Sequence, residues 1–144
     1  MEDEHRESER PEAATDAVAG GIVTKLSPWS VTETLQRLSA ILAQKGMKTF
    51  AVIDHSGEAA RVGLELRDTK VVIFGNPRAG TAVMQASPLA ALDLPLKVLV
   101  WDDGHAAEVS YLSPAAFGAR YALSDDLVAF IAGIDVLTNA VVSQ

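Results

Sequence analysis

Residues 69–101, TKVVIFGNPRAGTAVMQASPLAALDLPLKVLVW, place two apolar strand candidates, Val71–Phe74 and Leu96–Trp101, on either side of a helix that starts at a Gly-Asn-Pro turn. Four apolar residues in a row at Val71–Phe74 predict a strand covered on both faces. Pro77 behind Asn76 is the arrangement of a first helical position preceded by its cap. The helix is expected to run to about Ala86 and to be stopped by Pro88. Leu89–Leu94 then forms an apolar connector whose leucines need burial, and Pro95 delivers the chain into the next strand.

Upstream, Ile22–Leu26 alternates with a period of two, as a strand with one buried face does. Ser30 and Glu33 form a capping box, and Val31, Leu35, Leu38 and Leu42 make the apolar stripe of a helix closed by Gly46. Lys48–Asp54 is expected as a second strand and Val62–Arg67, which alternates Leu64 and Leu66 with charges, as a third. Lys70–Phe74 is then the fourth and Leu96–Trp101 the fifth. Asp102-Asp103-Gly104 is a hairpin turn into the sixth, Glu108–Leu112. A short helix over Pro114–Tyr121 and a last one capped by Ser124 complete the chain, with Gly133 expected at a close packing contact. The fold class is α+β: an antiparallel five- to six-stranded sheet with two longer helices on one face plus short helices.

The 144 residues are 49% hydrophobic and without cysteine, which suits one domain and excludes disulfides and thiolate metal sites. The net charge of -7 is concentrated in residues 1–20, which hold seven acidic and two basic side chains against 12 and 10 in the remainder. Residues 1–20 are therefore expected as a disordered acidic tail and 21–144 as the single domain. Scattered basic residues on a nearly neutral domain argue against nucleic acid. No stretch approaches the roughly 18 apolar residues of a membrane span, and a cytoplasmic location is expected.

The run IDHSGEAARVGLELRDTKVVIFGNPRAGTAVMQASPLAALDLPLKVLVWDD resembles the bacterial family known as domain of unknown function 302, above all in its GNPxxGT and DLPLKVLVW segments. The resemblance covers about residues 22–142. It implies a small domain with an antiparallel sheet and two longer helices across one face, similar to TATA-binding-protein-like folds, and it implies no activity.

Six residues are candidates for a ligand site. Gly75–Thr81 has the glycine spacing of a phosphate loop but no lysine, which argues against nucleotide hydrolysis; the helix start with Asn76, Arg78 and Thr81 remains a candidate anion site. His55 follows a strand end. Lys97 stands in an apolar strand; its face is either solvent or interior, and an interior amine needs an anionic partner or ligand, with Tyr111 on the neighbouring strand and Glu65 on another as candidates. Asp54, His55, Asp102 and His105 lack metal-ligand spacing, so neither a metal nor a cofactor is expected. The function expected is a non-enzymatic binding or sensing module for a small anionic or apolar metabolite. The alternative is a small enzyme using His55, Lys97 or Tyr111 as general acid or base. Surplus aliphatic side chains on Leu89–Leu94 and the last helix predict a homodimer.

Overall fold

A computed structural model describes residues 17–144. Its strands are β1 (Ala17–Ala19), β2 (Ile22–Ser27), β3 (Lys48–Asp54), β4 (Thr69–Gly75), β5 (Leu96–Asp102) and β6 (Ala107–Leu112). Its helices are α1 (Val31–Gln44), α2 (His55–Arg61), α3 (Pro77–Ala86), α4 (Pro114–Arg120), α5 (Asp125–Ala129) and α6 (Gly133–Val142), with a 3₁₀ turn at Pro88–Leu92. The strands form one antiparallel sheet in the order β1-β2-β6-β5-β4-β3. β1 lies within the stretch expected as a tail and pairs with β2 through Ala17–Thr24 and Ala19–Ile22. The rest of that stretch, residues 1–16, is outside the described residues.

The serine half of the capping box predicted for α1 forms, with Ser30 Oγ accepting from the Glu33 N–H at 3.0 Å. Helices α1 and α6 cover one face of the sheet, burying Leu38, Leu42, Leu137 and Val141 against Val72, Val98, Val100 and Val109. Arg37 ties the two helices by donating from Nε to the Val141 carbonyl and from Nη2 to that of Ser143, both at 3.0 Å. These are carbonyls that the end of α6 leaves without helical partners.

Hydropathy does not choose the inner face of β2. Ile22 and Leu26 are exposed, whereas Val23, Lys25 and Ser27 point into the core. Lys25 is 2% exposed. Its Nζ donates to Thr138 Oγ1 at 2.7 Å and to the Asp135 carbonyl at 3.1 Å, and it lies 5.2 Å from the centroid of the Tyr111 ring. A buried ammonium needs such partners, because desolvation otherwise outweighs any packing gain. Ser27 and Thr34 hydroxyls pair at 2.7 Å and continue the polar seam.

Three expectations are corrected. Val62–Arg67 forms no strand: β3 and β5 already occupy both sides of β4, and the N–H groups of Val62, Gly63 and Leu64 turn back to carbonyls of α2. Leu64 and Leu66 consequently stay exposed. The last helix is interrupted between Ala129 and Gly133, and Gly133 opens α6 with nothing within 4 Å of where a Cβ would sit. The close packing falls at Gly118 of α4, whose Cβ would stand 2.6 Å from Val128 Cγ2 of α5. Leu89 and Leu92 are exposed while Ala90 is buried. A 3₁₀ turn has three residues per turn, so residues 89 and 92 share its outer side.

Candidate functional site

The turn after β4 builds a helix start in which the Asn76 side chain takes the free donors. Asn76 Oδ1 accepts from the N–H of Arg78 at 3.0 Å and of Ala79 at 3.4 Å, with Pro77 at the first helical position. Those are the N–H groups an anion would have used, and Arg78 is exposed to solvent.

Beneath this turn lies a cavity of about 290 Å³. Gly80 and Met84 of α3 form one wall, Met47 and Phe50 a second, and Leu96 and Phe130 a third. Among the described residues, Asn76 and Thr81 carry the only polar side chains in its lining, and none of the lining side chains is charged. Phe50 gets there through an irregularity in the strand. Thr49 pairs with Phe74 and Ala51 with Ile73, so Phe50 is one residue too many for the ladder. Such bulges re-aim a side chain, and the Phe50 ring comes beside Gly75, where an added Cβ would be 3.8 Å away. Nothing in Lys48–Asp54 marks the bulge in advance, because Phe50–Ile53 is a continuous apolar run in which no position stands out.

The six candidates are not brought together. Asn76 and Thr81 border this cavity. Lys97 and Tyr111 border a second one, and Leu96 lines both. Tyr111 is 4% exposed and donates its hydroxyl to the Asp135 carboxylate. His55 is at the far end of the sheet: β3 runs antiparallel to β4, which places Asp54 opposite Lys70 while Asn76 follows the other end of β4. Six residues of strand separate them, about 20 Å at 3.3 Å per residue. His55, Lys97 and Tyr111 therefore do not converge as an acid–base set. Among the described residues, no group of three or more His, Asp or Glu side chains is placed to hold a metal ion.

A cluster that the sequence did not signal stands beside the second cavity. Asp93 Oδ2 accepts from the Tyr121 hydroxyl and, at 2.8 Å, from Arg120 Nη1. The tyrosine hydrogen bond, followed by the guanidinium, holds the Asp93 carboxyl below its ordinary value, and the same bond raises the Tyr121 hydroxyl above its own. At the β5–β6 hairpin, a hydrogen bond with the Glu108 side chain and two from backbone N–H groups hold Asp103 down to about 2. At the start of α2, Ser56 Oγ and the Gly57 N–H lower Asp54 in the same way.

Among known proteins, the chain is 36% identical over 127 residues to the fluoride-specific ion channel FluC 1 of Brucella suis biovar 1 (strain 1330), covering 85% of this chain and 50% of that protein. The identity is the same to the protein of that name from Brucella abortus biovar 1 (strain 9-941), of which 47% is covered. The chain thus spans about half the length of these relatives. No helix among the described residues is long and apolar enough to cross a membrane, and the channel name stays with those proteins. The crystal structure of an uncharacterized conserved DUF302 protein from Bacillus stearothermophilus superposes with a TM-score of 0.73 at 19% identity, covering 86% of this chain and 97% of that one. The same backbone is therefore shared at low sequence identity. The model of the family "Domain of unknown function DUF302" matches residues 23–140, and the chain belongs to that family.

Proposed function

We propose that the chain is a binding module for a small apolar molecule, held in the cavity beneath the start of α3. The observation that carries this is the lining: two methionines, two phenylalanines and Leu96 surround about 290 Å³, with polar side chains only at Asn76 and Thr81. Apolar walls with a few placed polar groups are the usual make-up of a small-molecule site, and methionine adapts its shape to what it contacts. The absence of charge from the lining favours an apolar ligand over an anion. A second copy of the chain is its expected partner, supported by the exposed Leu89, Leu92 and Val136.

Gly80 gives the test. A Cβ there would meet only Met84 Cε at 3.9 Å, an ordinary contact, and both residues line the cavity. Gly80→Leu therefore fills the cavity while improving the helix by about 1 kcal/mol, the difference in propensity between glycine and leucine. The parent is expected to bind the apolar fluorophore N-phenylnaphthylamine saturably, with rising fluorescence. The variant is expected to lose that binding at an equal or higher unfolding midpoint. Undiminished binding by a folded Gly80→Leu protein would exclude the cavity as the site.

A further inference from the structure

The β5–β6 ladder runs only from Leu99–Ser110 to Asp102–Ala107. Beyond it, Leu96, Lys97 and Val98 pair with β4 alone, and Tyr111 and Leu112 pair with β2 alone. The two central strands part there, and a crevice of about 420 Å³ opens between them. Val71, Leu99, Leu112 and Phe117 give it apolar walls.

Four polar side chains also line it, and three are engaged within the chain. Ser110 Oγ accepts from Trp101 Nε1 and pairs with Thr24 Oγ1, each at 2.9 Å. Tyr111 donates to Asp135, and Asp93 accepts from Tyr121 and Arg120. The fourth, Lys97, is exposed and has no hydrogen bond or ion pair among the described residues. Asp93 feels the charge of both Arg120, with which it pairs, and Lys97, so two cations stand around one carboxylate at the mouth of the crevice.

We propose that this crevice is a second binding site, separate from the cavity beneath α3, for an amphipathic monoanion of the medium-chain carboxylate type. Its apolar body lies along Leu99, Leu112 and Phe117, and its head meets the Lys97 ammonium. The volume is within the roughly 300–1,000 Å³ of small-molecule sites. The geometry favours a single head group, because the walls offer no second free cation.

Calorimetry with decanoate and decanol on the full chain tests it. Decanoate is expected to bind the parent and to bind Lys97→Met roughly fivefold to tenfold more weakly, the size of one charge-assisted contact open to solvent. Lys97→Arg should restore it, and decanol should bind parent and Lys97→Met alike. Gly80→Leu should leave decanoate binding intact, and Lys97→Met should leave N-phenylnaphthylamine binding intact, so that either site can fail without the other. Because Lys97 is exposed, the variants are expected to fold, which unfolding midpoints verify. Equal decanoate affinity in parent and Lys97→Met, or no decanoate binding by the parent, would overturn the proposal.

Discussion

Replacing Gly118 by alanine adds one methyl group at the place where α4 meets α5. That methyl would stand 2.6 Å from Val128 Cγ2, where ordinary contacts begin at 3.4 Å. A helical valine is held almost entirely in one rotamer, so its methyl cannot swing away and the helices must separate. Overpacking of this kind costs about 1–3 kcal/mol. The gain from removing a glycine near the end of a seven-residue helix offsets less than about 1 kcal/mol of it. The expected net loss is about 1–2 kcal/mol, or about 3–6 °C in unfolding midpoint for a chain of this size. Val128→Ala alone removes part of a half-buried side chain and should cost about 1 kcal/mol. The double variant loses the clash and should be at least as stable as Val128→Ala alone. Urea unfolding followed by the fluorescence of Trp29 and Trp101 measures all four proteins. If Gly118→Ala matches the parent, or if the two effects add to within about 0.5 kcal/mol, the contact is not the tight one described. The outcome bears on both cavities, since α4 supplies Phe117 to the crevice and the turn after α5 supplies Ile131 to the other cavity.

Asp54, Asp93 and Asp103 all have folded values held below the ordinary 3.8. The stability they contribute is present above that value and is lost as pH falls toward the Asp103 value of about 2. The unfolding midpoint should therefore decline between about pH 4 and pH 2; a flat profile there would refute the hydrogen-bond assignments. Light scattering at micromolar concentration should give the mass of a dimer, and Leu89→Asp with Leu92→Asp should give a monomer. A parent that is already monomeric would remove the second copy from the proposed function.

How much was legible depended on whether a feature is local. The Ser30 cap of α1 and the Asn76–Pro77 start of α3 are chemistry between neighbours, and both formed. The apolar run in β4 marked a strand with neighbours on both sides, although one face, with Val71 and Ile73, is only half-buried. Val62–Arg67 has the alternation of a strand, yet alternation says nothing about whether a neighbouring edge is vacant. The alternation in β2 does not say which face is inner, and Lys25 faces inward because Thr138, the Asp135 carbonyl and the Tyr111 ring, all more than 80 residues away, receive it. The candidate sites failed to assemble for the same reason. Removing one supposed strand reverses which end of the sheet receives His55, and no single residue type announces a place where β5 and β6 separate.

The inward lysine has a consequence for how α6 finds its seat. Aliphatic side chains on a helix are nearly interchangeable against a valine floor, so sliding by one turn, about 5.4 Å, would cost such a helix little. The Lys25 ammonium is not interchangeable with anything around it. Its hydrogen bonds to Thr138 and the Asp135 carbonyl form only when those groups stand beside it. A slipped α6 would lose both hydrogen bonds from a buried charge, which costs more than any aliphatic contact it could exchange. The polar seam thus works as a keyway, admitting the helix in one register along its axis and giving a largely greasy interface the selectivity that grease lacks.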